Sequence, residues 1–209
     1  MYGIENISAF IFAATIVVIS PGVDTIMVLT RSISNGKIAG FYSVIGVCLG
    51  LMVHTCAATF GLSIILAKSA FIYSLVKYIG AAYLIYLGYK SFTAKTSQDD
   101  LPFSAKPIGN RMMFYTAFIS DVLNPKIAIF FLAFLPQFIN VAAVNSPMPY
   151  FLLGAIILSI TFIWCSLLVI LGSKATSFFN RSKKAESLMN KLSGIVFILL
   201  GLKVALTKR

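Results

Sequence analysis

A carboxylate, Asp24, follows directly on a helix-breaking pair in an otherwise apolar stretch of this chain. The sequence there reads Ile19-Ser20-Pro21-Gly22-Val23-Asp24-Thr25, inside an apolar run from about residue 7 to 30. Proline removes a backbone donor and glycine leaves the chain free to unwind, so the run is predicted to form two half-helices. Backbone groups freed at membrane depth are tolerated only beside protein or a water-filled cavity. The break therefore predicts a cavity, with Asp24 in the first turn beyond it.

The position of Asp24 has two readings. A carboxylate near the centre of a bilayer costs about 2.5–3.5 kcal/mol on insertion scales, which favours a role in binding a ligand or an ion. In the alternative, the break lies at the membrane surface and Asp24 is a simple helix N-cap.

A second interruption of the same kind lies in the other half of the chain. Asp121 and Asn124-Pro125-Lys126 fall inside an apolar run from about 112 to 138. A proline between an amide and a cation predicts another broken helix, again with unsatisfied backbone groups available to a ligand. Pro21 and Pro125 thus occupy corresponding places in the two halves.

The composition requires these stretches to lie in a membrane. The 209 residues are 59% hydrophobic and 11% charged, and the mean hydropathy is +0.93, which is far more apolar than a soluble globular domain. The formal charge of +11 is dispersed over short connections, unlike the clustered basic face of a nucleic-acid-binding protein. The lipid bilayer, and no nucleic acid, is therefore the expected partner.

Six apolar segments predict an all-α integral membrane protein with six transmembrane helices, since each is long enough to span a bilayer. They run from about 7 to 30, 40 to 67, 70 to 90, 112 to 138, 149 to 172 and 188 to 206. A polar linker at about 93–110 divides the single domain, 1–209, into a first repeat at about 1–92 and a second at about 111–209. Each repeat crosses the membrane an odd number of times, so the two are predicted to be inverted. The first and fourth helices are expected to break near Pro21 and Pro125.

Smaller features complete this prediction. Gly46 and Gly50 are four residues apart and predict a seam where a neighbouring helix packs closely. The segment at about 149–172 carries no ionisable residue and is predicted to be scaffold, and a basic loop is expected after Gly172. With the first terminus outside, the inside connections hold eleven lysines and arginines and the outside regions hold four. Because positive residues favour the cytoplasmic side, both termini are predicted outside.

Several motifs occur in an order that is characteristic as a set and covers nearly the whole chain. They are Ser20-Pro21-Gly22-x-Asp24, Arg31, Gly36, Gly40, Gly80-Ala81-Ala82-Tyr83-Leu84-x-Tyr86-Leu87-Gly88, Asn124-Pro125-Lys126 and Phe131-Leu132-x-Phe134-Leu135-Pro136-Gln137-Phe138. The chain resembles the LysE/RhtB family of bacterial amino-acid exporters, of the homoserine, threonine and leucine efflux type. It departs from that family at Val23, where a second proline is common, and at Asp121, where many members have asparagine.

The resemblance implies a secondary transporter, and not an enzyme, in the bacterial cytoplasmic (inner) membrane. Its substrate would be a neutral amino acid or a close derivative such as homoserine or its lactone, exported by proton antiport. An amino acid presents an ammonium and a carboxylate, and Asp24 is the candidate for the ammonium. The half-helix after Pro125, with Asn124 and Lys126, is the candidate for the carboxylate. Pro21 and Gly22 complete the predicted substrate-binding set.

The charged residues near the two breaks predict alternative roles for Lys126 and a site of proton coupling. Lys126 either contacts the substrate or forms a salt bridge with Asp24 or Asp121 in the resting protein. Proton coupling is assigned to Asp24, which would alternate between a proton and the substrate ammonium, with His54 and Asp121 as weaker candidates.

Other functions are weighed against export of an amino acid. The alternatives are an exporter of a different small solute or cation, and a membrane interaction protein that transports nothing. The segments show no cluster of Cys, His and carboxylate ligands, so neither a metal site nor a cofactor is predicted. Seams of small residues are compatible with a homodimer and equally with packing inside one chain.

Overall fold

The chain is helical in the computed structural model, which describes residues 2–62, 70–93, 109–181 and 183–206. The α-helices are α1 Ile7–Ile19, α2 Val23–Asn35, α3 Lys37–Cys56, α4 Ala70–Thr93, α5 Asn110–Val122, α6 Pro125–Ile129, α7 Pro147–Arg181 and α8 Lys183–Leu206. The π-helical segments are Ala57–Leu62 and Phe130–Phe134, and the 3₁₀ segments are Leu135–Phe138 and Val141–Ala143. Across the described ranges the only β-bridge joins Ile4 and Ile139. The predicted all-α fold class is confirmed.

The first predicted break separates α1 from α2. Helix α1 ends at Ile19, because the residue before a proline is pushed out of helical geometry. Ser20 accordingly has φ −53° and ψ 127°, and Gly22 is extended with φ −157° and ψ 179°. The helix axis bends by 52° between the two half-helices, so the break predicted at Pro21 is confirmed.

The second predicted break separates α5 from α6. Helix α5 ends at Val122, and Asn124 has φ −73° and ψ 108° immediately before Pro125 begins α6. Proline suits the first position of a helix because the N–H that it lacks would have no partner there. The two parts, Asn110–Val122 and Pro125–Phe138, meet at 42°, so the break predicted at Pro125 is confirmed as well.

The helices make this a multi-pass membrane protein. Within the described residues, two helical stretches, Lys37–Gly61 and Pro147–Gly172, are long and apolar enough to cross a membrane. The number rises to four if each bent pair is one span. Six spans in inverted repeats therefore stay a prediction, and the linker predicted at about 93–110 lies, over residues 94–108, outside the described residues.

Glycines set the closest helix contacts. A Cβ built on Gly46 would lie 2.5 Å from the Phe114 carbonyl oxygen on α5, and one built on Gly50 would lie 2.5 Å from Asp121 Oδ2. Real Cβ atoms do not come so close, so α3 packs on α5 only because these positions are glycine. The predicted seam is confirmed. Helices α4 and α8 meet in the same way, with Gly88 and Gly194 facing each other's carbonyl oxygens.

The predicted basic loop after Gly172 is wrong over most of its length. Helix α7 continues through this glycine to Arg181, and α8 begins at Lys183. A single glycine costs a helix only about 1 kcal/mol, and residues 173–181 contain neither proline nor a second glycine. Glycine alone was therefore too weak a stop signal.

One side chain fixes α2 against its neighbours. The Arg31 guanidinium donates to Ser43 Oγ on α3 at 3.1 Å and, on α5, to Met113 O at 2.6 Å and Thr116 Oγ1 at 2.7 Å. Arginine suits this role because its planar group presents several donors in fixed directions. The contacts hold the helix that carries Asp24 on the helix that carries Asp121.

Candidate functional site

A cavity of about 320 Å³ lies where the two helix breaks meet. Its volume is at the lower end of the range of small-molecule sites, about 300–1,000 Å³. The structure brings all six predicted substrate-binding residues to its wall, namely Pro21, Gly22, Asp24, Asn124, Pro125 and Lys126. Asp121 lines the same cavity.

Asp24 and Asn124 join the two halves of the chain across this cavity. Asn124 precedes Pro125 and caps α6, because its Oδ1 accepts the backbone N–H of Lys126 at 3.0 Å. That bond turns the amide nitrogen outward, and Nδ2 donates to Asp24 Oδ2 at 2.9 Å. The other carboxylate oxygen, Asp24 Oδ1, is buried and accepts no hydrogen bond from any residue that the structure describes. One half of the carboxylate is thus fixed and the other is available.

Lys126 lies on the cavity wall, but it does not form the salt bridge that was one of its two predicted roles. Its ammonium contacts neither the Asp24 nor the Asp121 carboxylate. It donates to the Val17 carbonyl at 2.7 Å and, more weakly, to the Ser20 carbonyl at 3.4 Å. In an uninterrupted helix the Val17 carbonyl would accept from residue 21, but that residue is proline and has no N–H. The ammonium replaces the missing donor at the C-terminal end of α1, where the helix dipole favours a positive charge.

Asp121 is the most deeply buried acidic side chain of the site. Its exposed fraction is 0%, and among the described residues neither Oδ1 nor Oδ2 has a hydrogen-bond donor. Gly50 leaves the space that its carboxyl group occupies. A buried polar group without a partner is rare and calls for an explanation.

His54 lies near Asp121 but not on the cavity wall. Its Nε2 is 3.0 Å from the backbone oxygen of Asp121, and since a carbonyl only accepts, Nε2 carries the hydrogen of this bond. The ring also stacks on Phe131, with centroids 5.8 Å apart. These contacts describe a residue that packs α3 against α5, so the structure places His54 beside the site and not in it.

Several lining residues were missed by the sequence analysis. Thr161 and Cys165 come from α7, which was predicted to be scaffold only, and Phe197 comes from α8. Thr161 is 5% exposed and its Oγ1 has no partner among the described residues. A single hydroxyl in an apolar helix produces no pattern, so burial without a partner is the only signal and it needs coordinates.

The remaining wall determines what else the cavity accepts. Apolar side chains dominate it, including Val18, Val47, Leu51, Leu87 and Ile127. Within the part of the chain that the structure describes, no three His, Cys, Asp or Glu side chains are grouped to hold a metal ion. The site therefore combines a carboxylate acceptor, an ammonium and an aliphatic surface, which can receive a small molecule that is charged at one end and apolar at the other.

Comparison with known proteins agrees with this description. A family model described as LysE type translocator matches residues 15–208. An uncharacterized membrane protein of Bacillus subtilis (strain 168), YrhP, is 35% identical over 97% of this chain and 100% of its own length. Leucine efflux proteins of Salmonella typhimurium and Klebsiella pneumoniae are each 29% identical over 94% of this chain and 93% of their own length.

No solved structure matches the chain. The family model nevertheless covers almost every residue that forms the helices and the cavity. The chain therefore belongs to the LysE type translocator family, and is a membrane transporter and not an enzyme.

Proposed function

We propose that this protein exports amino acids or close derivatives across the bacterial cytoplasmic membrane in exchange for protons. The observation that carries the proposal is the Asp24–Asn124 hydrogen bond in a cavity between two helix breaks. The relatives named leucine efflux proteins support this substrate class. Neutral amino acids of the leucine, threonine or homoserine type are the proposed substrates.

Asp24 is the proposed ammonium-binding residue. Its Oδ2 is held by Asn124, and its buried Oδ1 has no donor among the described residues. An ammonium group donates hydrogen bonds in three directions, and its positive charge compensates the negative charge of a buried carboxylate. The substrate ammonium would bind at Oδ1.

Lys126 is the proposed partner of the substrate carboxylate. Its ammonium has three hydrogens, of which the Val17 carbonyl takes one at 2.7 Å and the Ser20 carbonyl takes a second in a long contact of 3.4 Å. At least one hydrogen is therefore free for a carboxylate oxygen. The predicted use of the α6 N-terminus is weaker, because the Lys126 N–H is already bonded to Asn124.

The aliphatic wall suits the side chain of a neutral amino acid. Leu51, Leu87 and Ile127 offer contact to a leucine-sized group, and burial of such a side chain contributes roughly 1.5–3 kcal/mol. A charged side chain would lose its hydration without gaining hydrogen bonds or opposite charges from these three aliphatic residues.

Coupling to protons follows from competition for negative charge. Asp24 is the coupling carboxylate, because the ammonium of the substrate and a proton are alternative ways of neutralising the buried acidic groups. A proton entering from outside would favour release of the substrate, and substrate binding from the cytoplasm would favour release of the proton. His54 is the weaker candidate, since it bonds away from the cavity.

The proposed architecture is one that secondary transporters commonly use. Six spans as inverted repeats, with both termini outside, would place the paired breaks near the middle of the membrane. The corresponding breaks at Pro21 and Pro125 and the glycine seam between α4 and α8 support this arrangement. The cavity would then open alternately to each side.

The test is accumulation of radiolabelled amino acids in inverted membrane vesicles under an imposed pH gradient. The panel includes leucine, threonine and homoserine, and the variants are Asp24→Asn and, as a matched control outside the cavity, Glu5→Gln. Accumulation that requires the gradient, survives Glu5→Gln and is lost in Asp24→Asn is expected. If folded wild-type protein moves none of these compounds, the alternatives gain: another small solute or cation, or an interaction protein without transport.

A further inference from the structure

A second carboxylate shares the cavity with Asp24 but has a different environment. The Asp24 carboxylate accepts a hydrogen bond from the Asn124 amide, which stabilises its charged form. The Asp121 carboxyl group is fully buried and receives no hydrogen bond from any described residue. Two acids whose surroundings differ in this way can serve different roles in one reaction cycle.

The groups around Asp121 provide no compensating cation in the described part of the structure. The titratable side chains near it are Asp24 on α2, Cys48 and His54 on α3, and Cys165 on α7. His54 bonds to the backbone oxygen of Asp121 and not to its carboxyl group. The Lys126 ammonium donates to the Val17 and Ser20 carbonyls and forms no hydrogen bond with the Asp121 carboxyl group.

Close packing against α3 keeps the Asp121 carboxyl group in this buried position. A Cβ built on Gly50 would lie 2.5 Å from Asp121 Oδ2 and 2.7 Å from Asp121 Cβ. The side chain thus lies close against α3 while it faces the cavity. A buried carboxylate without a partner normally takes up a proton, because its charged form is too costly in such surroundings.

We propose that Asp121 carries the transported proton while Asp24 binds the substrate ammonium, so that coupling operates between two carboxyl groups. This inference rests on the proposed function and refines it, because it keeps the exchange of substrate for a proton but moves the proton from Asp24 to Asp121. When the cavity is empty, Asp121 is protonated and Asp24 is the anion held by Asn124. When the substrate ammonium binds at Asp24, its positive charge favours the anionic form of Asp121. The O–H bond then breaks, and the proton leaves to water on the side to which the cavity is open.

The proton gradient sets the direction of transport through this coupling. Substrate binding from the cytoplasm releases the proton into the cytoplasm. On the outer side, protonation of Asp121 removes the second negative charge that helps to hold the ammonium, and the substrate leaves. One proton enters for each substrate exported, and the two ligands occupy neighbouring groups in turn.

The first test detects the proton without a substrate. Infrared spectra of the purified full-length protein in liposomes report the carbonyl stretch of protonated carboxyl groups. The chain has only six acidic side chains, so the band can be assigned with isosteric variants. A band at neutral pH in wild type and in Glu5→Gln, absent in Asp121→Asn, is expected. Persistence of the band in Asp121→Asn, or the absence of any such band from wild type, overturns the proposal, and the second outcome needs no folded Asp121 variant.

The second test separates substrate binding from coupling. Leucine exchange across liposomes needs no proton gradient, whereas gradient-driven accumulation does. Asp121→Asn is expected to lose more than tenfold of the accumulation driven by the gradient, whereas leucine exchange falls less, because Asp24 still binds the ammonium. Full gradient-driven accumulation in Asp121→Asn overturns the proposal. If wild type exchanges neither leucine nor another amino acid of the panel, the proposed function fails, while the infrared test still decides where the proton lies.

Discussion

The Lys126 ammonium donates to the Val17 carbonyl at 2.7 Å and so fills the position of the N–H that Pro21 cannot supply. A residue of the second helix break thereby caps the first. The contact explains how Pro21 can interrupt an apolar helix without leaving the Val17 carbonyl unsatisfied, which in a membrane would cost several kcal/mol. It also means that the two breaks stabilise each other.

This relationship predicts a dependence between two substitutions. Lys126→Met should lower the free energy of unfolding by about 1–3 kcal/mol, because a buried carbonyl loses its donor. Pro21→Ala restores a backbone N–H that can reach Val17, so the same lysine substitution should cost less in that background. Chemical unfolding in detergent micelles measures the double-mutant cycle. Lys191→Met, on an exposed part of α8, is the control. Equal losses in both backgrounds would contradict the replacement of the proline N–H by the ammonium.

The Asp24–Asn124 pair predicts an effect of exchanging the two side chains. Asn124→Asp alone places a second carboxylate next to Asp24 and should lower the unfolding temperature and abolish export, because like charges at this distance repel. In the exchanged variant, Asp24→Asn with Asn124→Asp, one amide again donates to one carboxylate. Its unfolding temperature is expected to return close to wild type. No recovery in the exchanged variant would show that the bond contributes little to stability.

Gly50 predicts a local packing effect at Asp121. Gly50→Ala forces a methyl group against the Asp121 side chain, and overpacking of this kind costs about 1–3 kcal/mol. Gly61→Ala is the matched control, since a Cβ there meets no atom of the described residues within 4 Å. We expect Gly50→Ala to lower stability and gradient-driven transport while Gly61→Ala changes both little. Similar behaviour of the two variants would mean that α3 and α5 can separate without consequence.

The parts of this structure that the sequence predicts are those set by local chemistry. Pro21 and Pro125 break their helices for steric reasons that hold in any surroundings, and both breaks occur where expected. Gly46 and Gly50 mark a seam because four-residue spacing places them on one face. Even the grouping of Asp24, Asn124 and Lys126 follows from the correspondence of the two halves.

The parts that escaped prediction depend on distant partners. The choice of Lys126 between a carboxylate and a carbonyl is decided by how α1 meets α6, which no short motif records. Thr161 reaches the cavity only because α7 crosses it, and Asp121 is isolated only because α3 lies against it. Gly172 was overvalued as a stop signal because the surrounding residues favour a helix more strongly than one glycine opposes it.

Thr161 predicts how the cavity distinguishes polar from apolar substrates. Its buried hydroxyl has no partner among the described residues, so a substrate with a side-chain hydroxyl can supply one, whereas leucine cannot. Thr161→Val keeps the shape and removes this hydrogen bond, which is worth roughly 1 kcal/mol, or about fivefold in relative rate. Competition between homoserine and leucine for export should therefore shift about fivefold toward leucine. Ser159→Ala, at an exposed α7 hydroxyl that bonds within its own helix, should leave the ratio unchanged. An unchanged ratio in Thr161→Val would mean that the hydroxyl does not contact the substrate, and that discrimination lies with the aliphatic wall.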